Sequence, residues 1–121
     1  VADPRHALGR QAEAVVARGL ERSGWRILAR RWRVPEGEID LVCMDPSGVL
    51  VAIEVRARRS ARAGGAVESV DRRHLGRLRR ALAKYVETAA CEPRGLRIDL
   101  VAVEHRGDRW RAVRHPGIEG W

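Results

Sequence analysis

The chain has 121 residues, 45% hydrophobic and 33% charged, enough for one buried core and too apolar for a disordered segment. Its formal net charge of +8 creates a positive field that attracts phosphate backbones whatever their sequence. No apolar run approaches the roughly eighteen residues of a membrane span, so a membrane partner is not expected.

Part of the charge excess reflects a general preference for arginine, because Lys84 is the only lysine. Val1 to Arg10 is polar and no apolar run follows it, so no secretory signal is expected. Cys43 and Cys91 lie far apart and match no metal-binding spacing. They are expected to be buried reduced thiols, which implies a cytoplasmic location. No repeat or linker divides the sequence, so residues 1–121 read as a single domain.

In chain order, Asp3-Pro4 opens a helix. Leu8, Ala12, Val15, Val16, Gly19 and Leu20 recur at helical spacing, and Ser23-Gly24 ends the run. Trp25 to Arg33 predicts a strand, followed by a Pro35-Glu36-Gly37 turn. Glu38 to Met44 and Val49 to Ala57 predict two more. Residues 58–68, rich in Arg, Ala and Gly, predict a mobile loop. From Asp71 to about Ala90, Leu75, Leu78, Leu82, Tyr85, Val86 and Ala89 form the apolar stripe of a second helix. Leu96 to Glu104 and Arg109 to Arg114 complete the set around a turn at Arg106-Gly107-Asp108. The order αβββαββ predicts an α/β fold, a central mixed sheet flanked by helices.

The second and third strands carry the chemistry. Asp45-Pro46-Ser47-Gly48 has the residue preferences of a type I turn whose Gly closes a short hairpin loop with a bulge. That loop pairs Asp45 with Val49 and thereby sets the register. Asp40 should then lie opposite Glu54, and Glu38 opposite Arg56. The pleat assigns Ile39, Leu41, Cys43, Val51, Ile53 and Val55 to one face. Glu38, Asp40, Val42, Ala52, Glu54 and Arg56 fall on the other. Two carboxylates about 5 Å apart at Cβ repel each other unless compensated. A hard divalent cation such as Mg²⁺, which takes only one or two protein carboxylates, would compensate them. Neutralisation by Glu38 and Arg56 on a solvated face is the alternative. Glu13 borders the apolar stripe of the first helix and is either a third acid over this site or a boundary salt-bridge partner.

Several short segments together resemble the YraN-type family of small bacterial proteins. They are Gly9-Arg-Gln-Ala-Glu13, Gly24-Trp25-Arg-Ile-Leu28, Arg31-Trp32-Arg33, Gly37-Glu-Ile-Asp-Leu41, Ile53-Glu-Val-Arg56 with Arg58, and Arg97-Ile-Asp-Leu-Val101. His115 also falls where that family tends to place a histidine. The family in turn resembles the PD-(D/E)xK nucleases, which include restriction endonucleases and Holliday-junction resolvases. The resemblance implies a restriction-endonuclease-like fold, with Asp40 and Glu54 as ligands for Mg²⁺ or Mn²⁺ and Glu13 as an accessory acid. Arg56 falls at the place of the catalytic lysine, where the sequence departs from the pattern. A guanidinium stays protonated and cannot act as a general base, although it can stabilise phosphoryl charge.

The helix-two face of Arg72, Arg73, Arg77, Arg80 and Lys84, with Arg58, Arg59 and Arg62 before it, is the candidate phosphate-contacting surface or else a solvated face. Trp25 and Trp32 read as packing residues, whereas Trp110 and Trp121 have no clear place. With no Phe and one Tyr, stacking platforms for single strands are scarce. His6, His74, His105 and His115 have no ligand spacing and read as structural or exposed; Asp99 reads as facing a polar edge. The leading expectation is a metal-dependent nuclease acting on DNA, branched DNA included. The alternatives are a decayed nucleic-acid-binding module on the same fold and a basic protein-interaction domain. A branched two-fold substrate would suit a homodimer, but no sequence feature defines an interface.

Overall fold

The computed structural model of the chain describes residues 4–58 and 69–118. Helix α1 (Pro4–Arg22) leads into strands β1 (Arg26–Val34), β2 (Gly37–Met44) and β3 (Val49–Arg58). Helix α2 (Arg72–Ala89) follows, then β4 (Gly95–Arg106) and β5 (Arg109–His115). The strands form one sheet in the order β1-β2-β3-β4-β5. Every neighbouring pair is antiparallel except β3 and β4. Parallel neighbours cannot be joined by a tight turn, and α2 supplies the crossover that connects them. This is the α/β mixed-sheet architecture predicted, consistent with a restriction-endonuclease-like fold. The predicted loop lies outside the described residues except for Arg58, which closes β3.

Each helix covers one face of the sheet. Ala12, Val16, Ala17 and Leu20 of α1 pack with Leu41, Cys43, Val51, Ile53, Val101 and Val103. On the other face Leu78, Ala81 and Leu82 of α2 pack with Val42, Leu50, Ala52 and Ile98. Each fully buried Leu contributes roughly 1.5–3 kcal/mol of transfer free energy. Serine and glycine stop α1 as expected, the Ser23 N–H donating to the Gly19 and Leu20 carbonyls while Gly24 takes φ 88°. Asp71 caps α2, its carboxylate accepting from the His74 N–H at 2.8 Å. Trp25 is buried in the α1-side core and Trp32 meets Tyr85 edge-on at 5.2 Å, so both are packing residues. Trp110 stacks on His105 at 4.1 Å; Trp121 lies outside the described residues.

The hairpin turn forms as its residues dictate. The Gly48 N–H donates to the Asp45 carbonyl at 3.1 Å, the Asp45 carboxylate accepts from the Ser47 and Val49 amides, and Gly48 takes φ 94°. Asp45 and Val49 pair, and the ladder keeps the expected register from Met44↔Leu50 to Leu41↔Ile53.

Two expectations about this region need correction. Ile39 does not share a face with Leu41 and Cys43; it packs with Leu78 on the α2 side, as does Trp32 opposite it. The alternation breaks between the Arg30↔Leu41 and Trp32↔Ile39 pairs, where Arg31 has φ 47°. A non-glycine residue in the left-handed region reorients the pleat locally. Asp99, in turn, faces no polar edge and is fully buried. Its carboxylate accepts from Arg97 Nε at 2.7 Å, Arg97 at a second nitrogen at 3.1 Å, Arg114 at 3.0 Å and the Gly117 N–H at 2.9 Å. Arg97 also reaches Asp45 at 3.2 Å, tying the hairpin turn to β4. The thiols are free, Cys43 buried and Cys91 only half-buried. Burial pushes the Cys43 thiol up to about 12, so it is inert at neutral pH.

Candidate active site

The acidic site sits where β2 and β3 part. Hydrogen-bonded pairs alternate along an antiparallel ladder, so a continuing ladder would direct the Val55 N–H to the Ile39 carbonyl. It donates instead to Asp40 Oδ2 at 2.8 Å. The reset of the pleat at Ile39 opens this fork, and the Asp40 side chain fills the gap in the backbone pairing.

Asp40 and Glu54 are therefore not ladder partners, but both line one cleft, and Glu54 lies near enough to shift the Asp40 carboxyl. Glu54 is only 6% exposed. Burial, first, and then the adjoining Glu54 carboxylate push Asp40 up to about 8, while the Val55 N–H partly opposes the shift. Asp40 thus keeps its proton at neutral pH when nothing cationic lies against it. Arg56 does not pair with Glu38 as expected. It binds Glu54 Oε2 at 3.3 Å, and Glu38 pairs with Arg33 at 3.3 Å. Glu13 enters from α1, held at 3.0 Å by Arg31, the residue with the left-handed backbone. Its carboxyl is raised mainly by burial, with Arg31 opposing and Asp40 adding to the rise.

These groups line one cleft of about 370 Å³. Glu13 comes from α1, Glu38 and Asp40 from β2, Glu54 and Arg56 from β3, and His74 and Arg77 from α2. Glu38 and Arg77 are exposed at its rim, so the acids are not sealed from solvent.

Sequence reasoning missed His74. It reads as a structural or exposed histidine, yet its ring Nε2 hydrogen-bonds to Glu54 Oε2. Its pKa is lowered by burial first and by Arg56, which favours the neutral ring whose Nε2–H donates to the carboxylate. The only available signal was helical phase: His74 precedes Leu78 by four residues, which places it on the stripe facing the sheet.

Of the basic surface, Arg72, Arg73, Arg77 and Arg80 are exposed on α2, with Arg77 reaching the cleft. Lys84 is half-buried and 3.8 Å from Glu87. Arg59 and Arg62 lie outside the described residues.

The donor set suits a small hard cation. No group of three or more His, Cys, Asp or Glu among the described residues forms a ready-made cage. Mg²⁺ does not require one, because it keeps several waters and binds through one or two carboxylates. An ion at this cleft would offset the burial and the neighbouring Glu54 charge that raise the Asp40 carboxyl.

Residues 12–103 match the family model described as Uncharacterised protein family UPF0102. The chain belongs to the UPF0102 family. A UPF0102 protein of Bordetella avium is 43% identical over 108 residues, covering 89% of this chain and 74% of its own length. One from Deinococcus radiodurans is 43% identical over 114 residues, covering 93% and 91%. One from Beutenbergia cavernae is 41% identical over 99 residues, covering 82% and 83%. The UPF0102 match runs from Ala12 to Val103 and so takes in every acid of the cleft, together with His74. No helix among the described residues is long and apolar enough to cross a membrane.

Proposed function

We propose that this UPF0102 protein is a metal-dependent nuclease that cleaves phosphodiester bonds in DNA at the fork of β2 and β3. The observation that carries this reading is the convergence of Asp40 and Glu54, with Glu13, on one cleft that has an arginine on its rim. Asp40 and Glu54 would hold Mg²⁺ or Mn²⁺, with Glu13 as the accessory acid. The ion, when bound, supplies Lewis acidity toward the phosphoryl oxygens and a more acidic water.

The other parts act through charge and position. Arg56 is anchored on Glu54 and cannot accept a proton, so its contribution is to offset negative charge at the phosphate. Arg77 at the rim, with Arg72, Arg73 and Arg80 along the same helix, offers contacts that position a backbone without reading bases. Arg56 in the lysine's place favours the second reading, a module that binds nucleic acid on this scaffold without cutting it.

The test is incubation of linear and branched DNA with the protein and Mg²⁺ or Mn²⁺. The wild type is expected to cut, and Asp40→Ala and Glu54→Ala to lose at least about 100-fold of that rate, given the several kcal/mol a metal contributes. Cleavage that survives both substitutions refutes the site. Binding without cleavage in the wild type, restored to cutting by Arg56→Lys, selects the second reading. Under either reading, DNA retention should fall steeply between about 50 and 200 mM salt. An Arg72→Ala, Arg73→Ala, Arg77→Ala triple variant should show a shallower salt slope in a filter-binding titration. An unchanged slope removes α2 from the interface.

A further inference from the structure

We propose that His74 is the positioning residue that fixes the Glu54 carboxyl group for cation binding, so that the first turn of α2 completes a site otherwise built on the sheet. The inference rests on the reading of Asp40 and Glu54 as the metal-holding pair.

His74 is itself well anchored. Its backbone N–H donates to the Asp71 carboxylate that caps the helix, and Leu78, one turn on, is locked into the α2-side core. A ring with two side-chain torsions on a capped helix makes a rigid donor. Its Nε2 reaches Glu54 Oε2 across 20 residues of sequence. Arg56 contacts the same oxygen at 3.3 Å. Both contacts converge on Oε2 and orient the carboxyl plane, while Oε1 takes part in neither.

A glutamate has three side-chain torsions, and ordering them costs conformational entropy. That ordering is already present in the folded protein, with Glu54 inside the cleft it shares with Asp40 and held there by His74 and Arg56. Without His74, Arg56 alone would hold Oε2, and Arg56 is partly exposed and attached to the same strand two residues on. The glutamate could then swing away from Asp40 toward its own strand's arginine. Groups that orient a metal ligand through a hydrogen bond typically change metal affinity by 10- to 100-fold when removed.

The experiment measures Mn²⁺ binding to the full chain by calorimetry and by electron paramagnetic resonance, without nucleic acid. His74→Ala is expected to bind Mn²⁺ about 10- to 100-fold more weakly than the wild type. His74→Gln, whose amide N–H can donate to the same oxygen, is expected to recover most of the affinity. Thermal unfolding without metal separates this from a merely structural role, which would lower the melting temperature and leave affinity intact. Wild-type affinity in His74→Ala overturns the proposal, as does a glutamine variant as weak as alanine. Nitrogen hyperfine coupling to Mn²⁺ that disappears in His74→Ala also overturns it, because His74 would then be a ligand. Asp40→Ala distinguishes this failure from failure of the underlying reading. If the wild type binds no Mn²⁺, or Asp40→Ala binds it equally well, the metal site falls and the role of His74 falls with it.

Discussion

Replacing Arg97 with Met is expected to lower stability by about 3–5 kcal/mol, the usual cost of removing one partner from a buried ion pair. For a chain of this length that corresponds to a melting temperature lower by roughly 10–20 °C. Arg97 makes two of the four hydrogen bonds to Asp99, and Asp99 has no exposure with which to recruit water. Arg114 and the Gly117 N–H would remain, on one oxygen each. The substitution also releases Asp45 and stops Arg97 from packing over Trp25, 5.8 Å from the ring centroid. The converse change, Asp99→Leu, should cost less, because both arginines are partly exposed and can turn to solvent. The double variant should be more stable than Arg97→Met alone, since no uncompensated charge remains inside. Thermal melts of the three variants test the assignment. A double variant no better than the single would show that the cost arises from packing and not from the stranded carboxylate.

The second large effect is a dependence of stability on pH set by Asp40. Its carboxyl lies at about 8 in the folded protein and at an ordinary 3.8 when unfolded. Between those values the folded chain keeps a proton that the unfolded chain has released. The associated stability is fully present below about pH 4, declines as pH rises, and is lost past about 8. The decline is at most about 1.4 kcal/mol per pH unit. In metal-free buffer the melting temperature should therefore fall between pH 5 and 8.5. Asp40→Asn should flatten this slope and melt higher than wild type at pH 8.5, because an amide oxygen still accepts from the Val55 N–H without repelling Glu54. Added Mn²⁺ should raise the wild-type melting temperature most at pH 8.5 and leave Asp40→Asn nearly unchanged. An Asn variant that follows the wild-type pH profile would remove Asp40 as its source.

Much of this site was legible because local chemistry fixed long-range geometry. A four-residue turn with Asp, Pro and Gly in their preferred places determined the pairing of Leu41 with Ile53, and so carried positions 40 and 54 toward each other. The α2 stripe was equally clear, because Leu78 and Leu82 recur at helical spacing and nothing competes with it. What could not be read depended on events between segments. No propensity places Arg31 at φ 47°, and without it Ile39 is assigned to the wrong side. Asp99 reads as polar because its partners come from its own strand, from β5 and from the segment beyond it. His74 reads as ordinary because its meaning depends on the angle at which α2 crosses the sheet.

One amide in the fork is held differently from its neighbours. Along most of β3 the backbone N–H groups are shielded from exchange with solvent by main-chain partners, but Val55 owes its shielding to the Asp40 side chain. Whatever draws that carboxylate aside uncovers a single amide proton while the adjacent ones stay protected. Deuterium uptake at this position therefore follows the state of Asp40 directly, through the backbone, at a cleft whose described lining includes no tryptophan or tyrosine.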